Sequence, residues 1–466
     1  MKLRKSAVPL DQIIFAVPAA AFIVTPLIDM FLRFFNSITG SNDWISFRVV
    51  PYLPPILAGF LFLSLVVYLI VRKDWKIVKK GLLRTRTFQN TLLLFVMYMG
   101  LVLMSIGVNG FTYYAVHGHP YTLMSMWTYI ANVLVFLYCS AMVYDERVKG
   151  FLVKACCIIA TLYAMYALVE YILKPYYNDS LRATFYNSNH YGYYLAVSIS
   201  LTASMIVDML GKEKQKATAV TWCIMMFIQC FALGYNNTLG VWVAVLFAHI
   251  FLFIVYRIKD GRFNFRVLVP FAVFLSASII SSFFTTSIFT SIIRTYSDVG
   301  AIAQGLEKAD EAGSGRWIIW RLTTKHIIDR PFFGNGIEGL LEIITLEGSP
   351  FGSPHNEYLE YAAFFGVPAG LAYIAACVSV FTHGLKYKKE LNPISLVCMA
   401  GAFGYLVSAF FGVCFYYTVT YPFIFLGLAL NFAHKDRPVK EEPPVQEEPV
   451  NQSEEEVNAV SPPMTE

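Results

Sequence analysis

The chain has 466 residues, 57% of them hydrophobic and 14% charged, with a formal net charge of +5. So little charge on so long a chain excludes a water-soluble globule and specifies a polytopic membrane protein. The positive excess sits in short basic clusters between apolar stretches, a pattern that reflects membrane topology and gives no support to nucleic-acid binding.

Taken in chain order, the opening MKLRKSAVPLDQIIFAVPAAAF has the basic head and apolar run of a signal peptide. The apolar stretch continues to Phe35, however, and reads as an uncleaved first span. A bilayer-crossing helix needs roughly 20 mostly apolar residues, and about twelve such stretches follow one another. Their centres lie near Val17, Leu61, Leu101, Val135, Leu162, Val197, Ile224, Val245, Phe274, Tyr373, Tyr405 and Phe423. The short segments of alternating polarity that mark a β-barrel are absent, so the expected fold is an all-α integral membrane protein. Basic clusters, among them Lys2 to Lys5, Arg72 to Arg86, Lys212 to Lys216, Arg257 to Arg262 and Lys386 to Lys389, recur at every second connection. The positive-inside rule then puts both termini in the cytoplasm and one large loop, 285–357, on the outer side. Residues 1–434 form the expected membrane domain, and the acidic, Pro-rich tail 435–466 is expected to be disordered in the cytoplasm. All eight cysteines lie in or beside apolar spans, without the spacing of a disulfide framework or a zinc site, so neither metal nor cofactor is expected.

Ionisable residues inside a bilayer are costly and mark sites. Asp29 and Arg33, one turn apart in the first span, read as a mutual ion pair, and Glu170 and His249 as satisfied interfacial or interhelical groups. A secondary transporter explains a twelve-span topology equally well. It calls for broken helices and buried charges at mid-membrane, which the sequence does not offer. Between the fifth and sixth spans, RATFYNSNHYGYY gathers Arg182, Asn187, Asn189 and His190 at the start of a helix, where free N–H groups favour an anion. The competing reading is an aromatic belt with an incidental cap.

The long outer loop brings together Arg316, Arg321, Lys325, Arg330 and His355. Its spacing predicts a helix from about Gly315 to Asp329, capped by Ser314 and stopped by Pro331. Trp317, Trp320 and Ile327 share one face, which makes the helix amphipathic and puts its tryptophans in lipid. Arg316 and Arg321 have the forked shape and permanent charge to hold a lipid-linked phosphate; a plain membrane anchor is the alternative. Gly334, Gly336 and Gly339 read as a flexible linker, since no strand precedes them to form a phosphate cradle. His355, followed by Asn356 and Glu357 at the membrane boundary, can accept a proton near neutral pH and so act as general base toward an alcohol. A lone loop histidine is also an ordinary structural residue.

The pattern Gly315-Arg316-Trp317, the segment from Pro331 to Gly336, and the following PHNEYLEYAAFFGVPAGL together resemble the signature of the O-antigen ligase and O-antigen polymerase superfamily of bacterial membrane glycosyltransferases. Arg182 followed by Asn187 and Asn189 resembles that family's arginine-to-asparagine motif, and the resemblance covers 170–371 best. It implies transfer of a glycan from undecaprenyl diphosphate to a saccharide acceptor on the outer face of the bacterial cytoplasmic membrane. It further implies that His355 is the general base for the acceptor hydroxyl and that Arg182 and Arg316 bind the donor diphosphate. Arg321, Asn187, Asn189 and Asn356 are the further substrate-binding candidates. Diphosphate is a good leaving group, so in-line displacement with inversion needs cationic stabilisation and no carboxylate nucleophile.

Two departures stand out. Asn237-Thr238-Leu239-Gly240 replaces the Ser-Arg-Gly of many relatives, and Asn187-Ser188-Asn189 replaces Asn-Pro-Asn. The first, together with the freedom of a polymerase from any outer-membrane acceptor, leans toward elongation of O-antigen, capsule or exopolysaccharide repeat units. A ligase, transfer to protein hydroxyls, the transporter, and a scaffold that docks other polysaccharide-assembly proteins are the competing readings.

Overall fold

The computed structural model describes residues 8–39, 85–118, 124–173, 181–185, 187–285, 288–306, 310–347, 352–416 and 418–431, with positions 59 and 66. These residues belong to one compact unit, Met1–Phe432. The tail from 435 and the span expected about Leu61 lie outside them.

Among the described residues all regular structure is helical. The first half holds α1 (Leu10–Thr39), α2 (Arg86–Asn109), the short α3 (Tyr113–His117), α4 (Met126–Met142), α5 (Glu146–Leu173), α6 (Ser188–Leu210), α7 (Lys216–Asn236), α8 (Leu239–Asp260) and α9 (Leu268–Ser282). The second holds α10 (Ile288–Ala303), α11 (Ala312–Asp329), α12 (Gly336–Leu346), α13 (Glu357–Phe365), α14 (Val367–Lys386), α15 (Pro393–Ala409) and α16 (Thr420–Leu430). Eight helices among the described residues are long and apolar enough to cross a membrane, whereas α4, α15 and α16 are apolar but only 10–17 residues long. The segment expected as one outer loop is itself helical over α10, α11 and α12.

The core is organised around α6, 89% of whose apolar window is buried. A helix enclosed on every side must satisfy its polar groups internally. It does so with Ser200 Oγ donating to Ala196 O (2.6 Å) and Thr202 Oγ1 to Ser198 O (2.7 Å). Close approach of α15 depends on Gly401, where a Cβ would lie 2.5 Å from Leu201 Cδ2. Small residues at such contacts are what drive helix association where lipid gives no hydrophobic gain. Gln229 of α7 ties α5 by donating to Thr161 Oγ1 at 2.9 Å and to Cys157 O at 3.2 Å.

Successive long helices run antiparallel, so their ends collect at two levels. At one level Gln12 donates to Met142 O, Thr87 to the Tyr387 hydroxyl, and buried Lys149 to Asn431 O while pairing with Glu146. Arg86, Lys212, Lys259 and Lys386 lie at helix ends on this level. At the opposite level Leu181 N donates to Tyr235 O, Asn236 to Ser188 O, and Tyr193 to Phe411 O. That level also carries α13 and the loop with His355.

Polar residues inside the bundle are accommodated as follows. His249 Nδ1 lies 2.8 Å from Val245 O one turn back on its own helix and its ring stacks on Phe274 of α9 at 5.4 Å, while its Nε2 is buried with no hydrogen-bond partner among the described residues, so the expected interhelical group is only half satisfied. Asp29 is buried, and the side chain of Arg33, its expected partner, lies outside the described residues. Glu357 and Glu360, each 1% exposed, are carboxylates buried on α13 at the level of His355.

Candidate active site

The helix expected from Gly315 is present, but its start differs from the expected cap. Gly313, Ser314 and Gly315 are all left-handed, with φ of 62°, 62° and 81°, so regular helix begins at Arg316. Ser314 therefore sits inside a left-handed turn, which glycine neighbours allow at low cost, rather than in the extended conformation of a capping serine. Arg316 thus occupies the first regular turn, half-buried, and among the described residues it forms no ion pair.

The other cations of α11 are already matched. Arg321 reaches Asp310 at 3.2 Å, and Lys325 and His326 meet Glu347 at 3.1 and 3.0 Å. These two partners hold the Glu347 carboxyl below the usual carboxylate range. The tryptophan face is also not wholly in lipid. Trp317 is exposed, but Trp320 is half-buried and donates Nε1–H to Pro354 O at 2.8 Å, with its ring edge-on to Phe410. Nitrogen–oxygen contact of that kind is why a tryptophan was needed there rather than any apolar residue.

That bond holds the peptide immediately before His355. His355 has φ +50°, a left-handed conformation uncommon outside glycine, and persists because the surrounding contacts over-determine it. Burial, and then the Arg316 guanidinium, push its pKa down to about 4. The imidazole is therefore neutral at neutral pH, the form that can accept a proton. Asn356 follows as the N-cap of α13, its side-chain oxygen accepting from Tyr358 N and Leu359 N at 3.1 Å each.

The Pro331–Gly336 segment, expected to be a flexible linker, is a tightly docked turn. Val367 N donates to Pro331 O at 2.7 Å, Asn335 N to Ala363 O at 2.8 Å, and Ser105 Oγ to Phe333 O at 2.6 Å. Gly366, at φ +93°, lies so close that a Cβ there would collide with Phe332 O. Its motif glycines thus bring the end of α11 against the α13–α14 junction. Arg316 and His355, 39 positions apart in sequence, are set by this turn at one end and the Trp320–Pro354 bond at the other.

Across from them lies the start of α6. Asn187 caps it, its oxygen accepting from Asn189 N at 2.8 Å. His190 follows in the first turn, buried and stacked on Phe415 at 4.0 Å, close enough to His355 for the charge of one to reach the other. Arg182 is exposed in the loop before α6, a loop pinned by Asn236 donating to Leu181 O and Ser188 O at 2.6 and 2.7 Å. Its backbone carbonyl accepts from Phe185 N at 3.0 Å. Asn237, left-handed at φ +54°, makes the α7–α8 turn where the Ser-Arg-Gly of relatives is replaced, and Gly240 packs on Phe411.

Of the candidate residues, Arg316, His355 and Asn356 share one neighbourhood, and Asn187 and Asn189 lie at the start of α6 near His190. Arg182 lies at the same level on the adjoining loop, and Arg321 is engaged by Asp310. The sequence pattern assigned Trp320 to lipid, offered Glu357 only as a neighbour of His355, and did not single out Glu360. Glu357 accepts from the hydroxyls of Tyr373 and Tyr405, each at 3.0 Å, and Glu360 accepts from Cys414 N at 3.0 Å. The two glutamates stand one turn apart just after a capping asparagine, which was the available signal.

Residues 224–374 match the family model described as O-antigen ligase. No protein of curated function matches the chain. The match runs from α7 into α14, so it contains Arg316, Arg321, His355 and Asn356 and stops short of Arg182, Asn187 and Asn189. The match supports a resemblance to the O-antigen ligase and polymerase superfamily over this third of the chain, and eight helices among the described residues are long and apolar enough for a multi-pass membrane protein.

Proposed function

We propose that this chain, carrying the O-antigen ligase match at residues 224–374, transfers a glycan from undecaprenyl diphosphate to a saccharide hydroxyl, most often the end of a second lipid-linked repeat unit. The observation that carries the reading is a half-buried arginine without an ion-pair partner among the described residues beside a histidine held neutral. Arg316 takes the donor diphosphate, with Arg182 reaching it from the loop before α6 and Arg321 exchanging its Asp310 contact for phosphate oxygens. Asn187, Asn189 and Asn356 supply amide donors to the bound sugars.

The acceptor oxygen forms its bond to the anomeric carbon as the carbon–oxygen bond to diphosphate breaks. The electron pair leaves on the diphosphate, where Arg316 stabilises it, and the acceptor proton passes to His355. Docking of the diphosphate offsets the Arg316 charge felt by His355 and so raises its basicity once the donor is bound. The anomeric centre inverts. Basic residues collect at the level opposite His355, and the positive-inside rule then favours a site on the outer face with both termini in the cytoplasm. Residues 1–434 are the catalytic membrane domain and 435–466 a cytoplasmic tail.

The family's description as O-antigen ligase favours a second reading, a ligase with a different acceptor. Purified wild type, His355→Ala, Arg182→Ala and Arg316→Ala, given undecaprenyl-diphosphate oligosaccharide, separate these. Longer lipid-linked glycans from wild type, abolished in a folded His355→Ala, support the polymerase. Turnover that survives all three changes overturns the site, and product seen only with an added lipid acceptor favours the ligase.

A further inference from the structure

The site has a second histidine that neither the family match nor the proposed chemistry uses. His190 is 7% exposed, and its Nδ1 is buried with no hydrogen-bond partner among the described residues. Leaving such a nitrogen unpaired is costly, so it marks a position where another molecule completes the bonding.

The surroundings of His190 are built by a run of contacts that starts at the general base. His355 leads through Asn356 into α13, whose Glu360 accepts the Cys414 N–H at 3.0 Å. The next residue, Phe415, lies face to face with His190 at 4.0 Å and 19°. Three residues further along α6, Tyr193 donates to Phe411 O at 2.9 Å, and Gly412 is packed so tightly on its ring that a Cβ would lie 2.8 Å from Tyr193 Cζ. The segment 411–415 is thus tied both to α6, which carries His190, and to α13, which follows His355. Arg316 is near enough for Tyr193 to feel its charge.

This combination selects for a hydroxyl. An imidazole both donates and accepts, as a sugar hydroxyl does, whereas phosphate oxygens ask for donors alone and are already served by guanidinium. Resting on the glycosyltransfer reading, we propose that His190 is the acceptor-binding residue of this site, hydrogen-bonding the incoming saccharide so that its attacking hydroxyl lies in line with the donor carbon while His355 takes the proton. No proton is transferred to His190 in this step.

The test uses the full chain in detergent with undecaprenyl-diphosphate oligosaccharide extracted from the bacterium that makes the protein. Two products are followed: extended glycan, and undecaprenyl diphosphate released with the glycan lost to water. Binding of undecaprenyl diphosphate alone is followed separately by thermal shift. His190→Phe keeps a ring against Phe415 and removes the hydrogen bond. It is expected to lower the ratio of extension to release at least tenfold, with undecaprenyl diphosphate binding unchanged within twofold, and His190→Gln is expected to recover the ratio to within threefold of wild type. His190→Met carries the same expectation should the Phe variant not fold. An unchanged ratio in a folded Phe or Met variant overturns the proposal, as does a loss of undecaprenyl diphosphate binding equal to the loss of extension. A wild type that neither extends nor releases removes the glycosyltransfer reading itself, and this inference with it.

Discussion

Replacing Trp320 by Phe isolates one hydrogen bond from the packing around it. The Phe ring retains the edge-on contact with Phe410, and only the Nε1–H to Pro354 O bond of 2.8 Å is lost. A neutral hydrogen bond contributes a net ~0.5–1.5 kcal/mol. Here that energy opposes the tendency of His355 to leave its left-handed conformation, which for a non-glycine residue costs ~1–3 kcal/mol. The two magnitudes are comparable, so without the bond the competent loop conformation ceases to dominate. If the whole loss falls on the population of that conformation, turnover drops roughly two- to twelve-fold, at about 1.4 kcal/mol per factor of ten. Thermal stability changes little, because the unfolded loop segment is short. The assay compares kcat for glycan transfer with the midpoint of thermal unfolding in the same detergent. Full activity in Trp320→Phe, or a fall in activity matched by a general loss of fold, would refute the claim that this bond positions His355. Trp320→Ala is a poorer test, since removing the ring costs ~3–5 kcal/mol by itself.

The acid dependence follows from His355. Its folded pKa of about 4 lies below the 6.5 of the ordinary imidazole, so protonation favours the unfolded chain; its stabilising contribution is fully present above about 6.5 and is lost as pH falls toward 4. His355→Gln should flatten acid destabilisation in that window, measured by unfolding at fixed temperature, and an unchanged profile would contradict the burial argument. In the free enzyme the acid limb of kcat/KM belongs near pH 4, and in the residual activity of Arg316→Gln it should move upward, because a cation that disfavours imidazolium has gone. Arg316→Gln should weaken undecaprenyl diphosphate binding more than Arg321→Gln, since Arg321 is already matched by Asp310 in an exposed pair worth ~0–1 kcal/mol; the reverse order in a binding titration would refute the assignment. Gly366→Ala should destabilise by at least ~2 kcal/mol, from a backbone region open to glycine alone together with overpacking, and a thermal midpoint equal to wild type would show that the Pro331–Gly336 turn is not docked as described.

Composition and the length of the apolar runs by themselves called for a helical membrane chain, because a bilayer accepts only helices or closed barrels and the alternating segments of a barrel are absent. Local spacing likewise located α11, the helix start after Asn187, and His355 as a titratable group at a membrane boundary, since helix faces depend on neighbours within a few residues, whereas the capping roles of Asn187 and Asn356 emerged only in the structure. What lay beyond local spacing was decided by tertiary contacts. Nothing near Arg321 in sequence indicates that Asp310 neutralises it while Arg316 stays without an ion pair among the described residues. Gly334 and Gly336 have the composition of a linker and became a docked turn only because Phe364 and Ala363 stand against the first and Asn109 against the second. Trp320 carries a hydrophobic pattern that suits lipid, and only the fold supplies the carbonyl its indole N–H meets. Glu357 and one oxygen of Glu360 are bonded in their burial only because Tyr373, Tyr405 and the Cys414 amide arrive from distant segments. His190 owes its place beside His355 to the same segment, 411–415, which the pattern of either histidine alone could not reveal. Partnership of charges and polar atoms is a long-range property of the fold, whereas helix formation and membrane burial are properties of neighbouring residues.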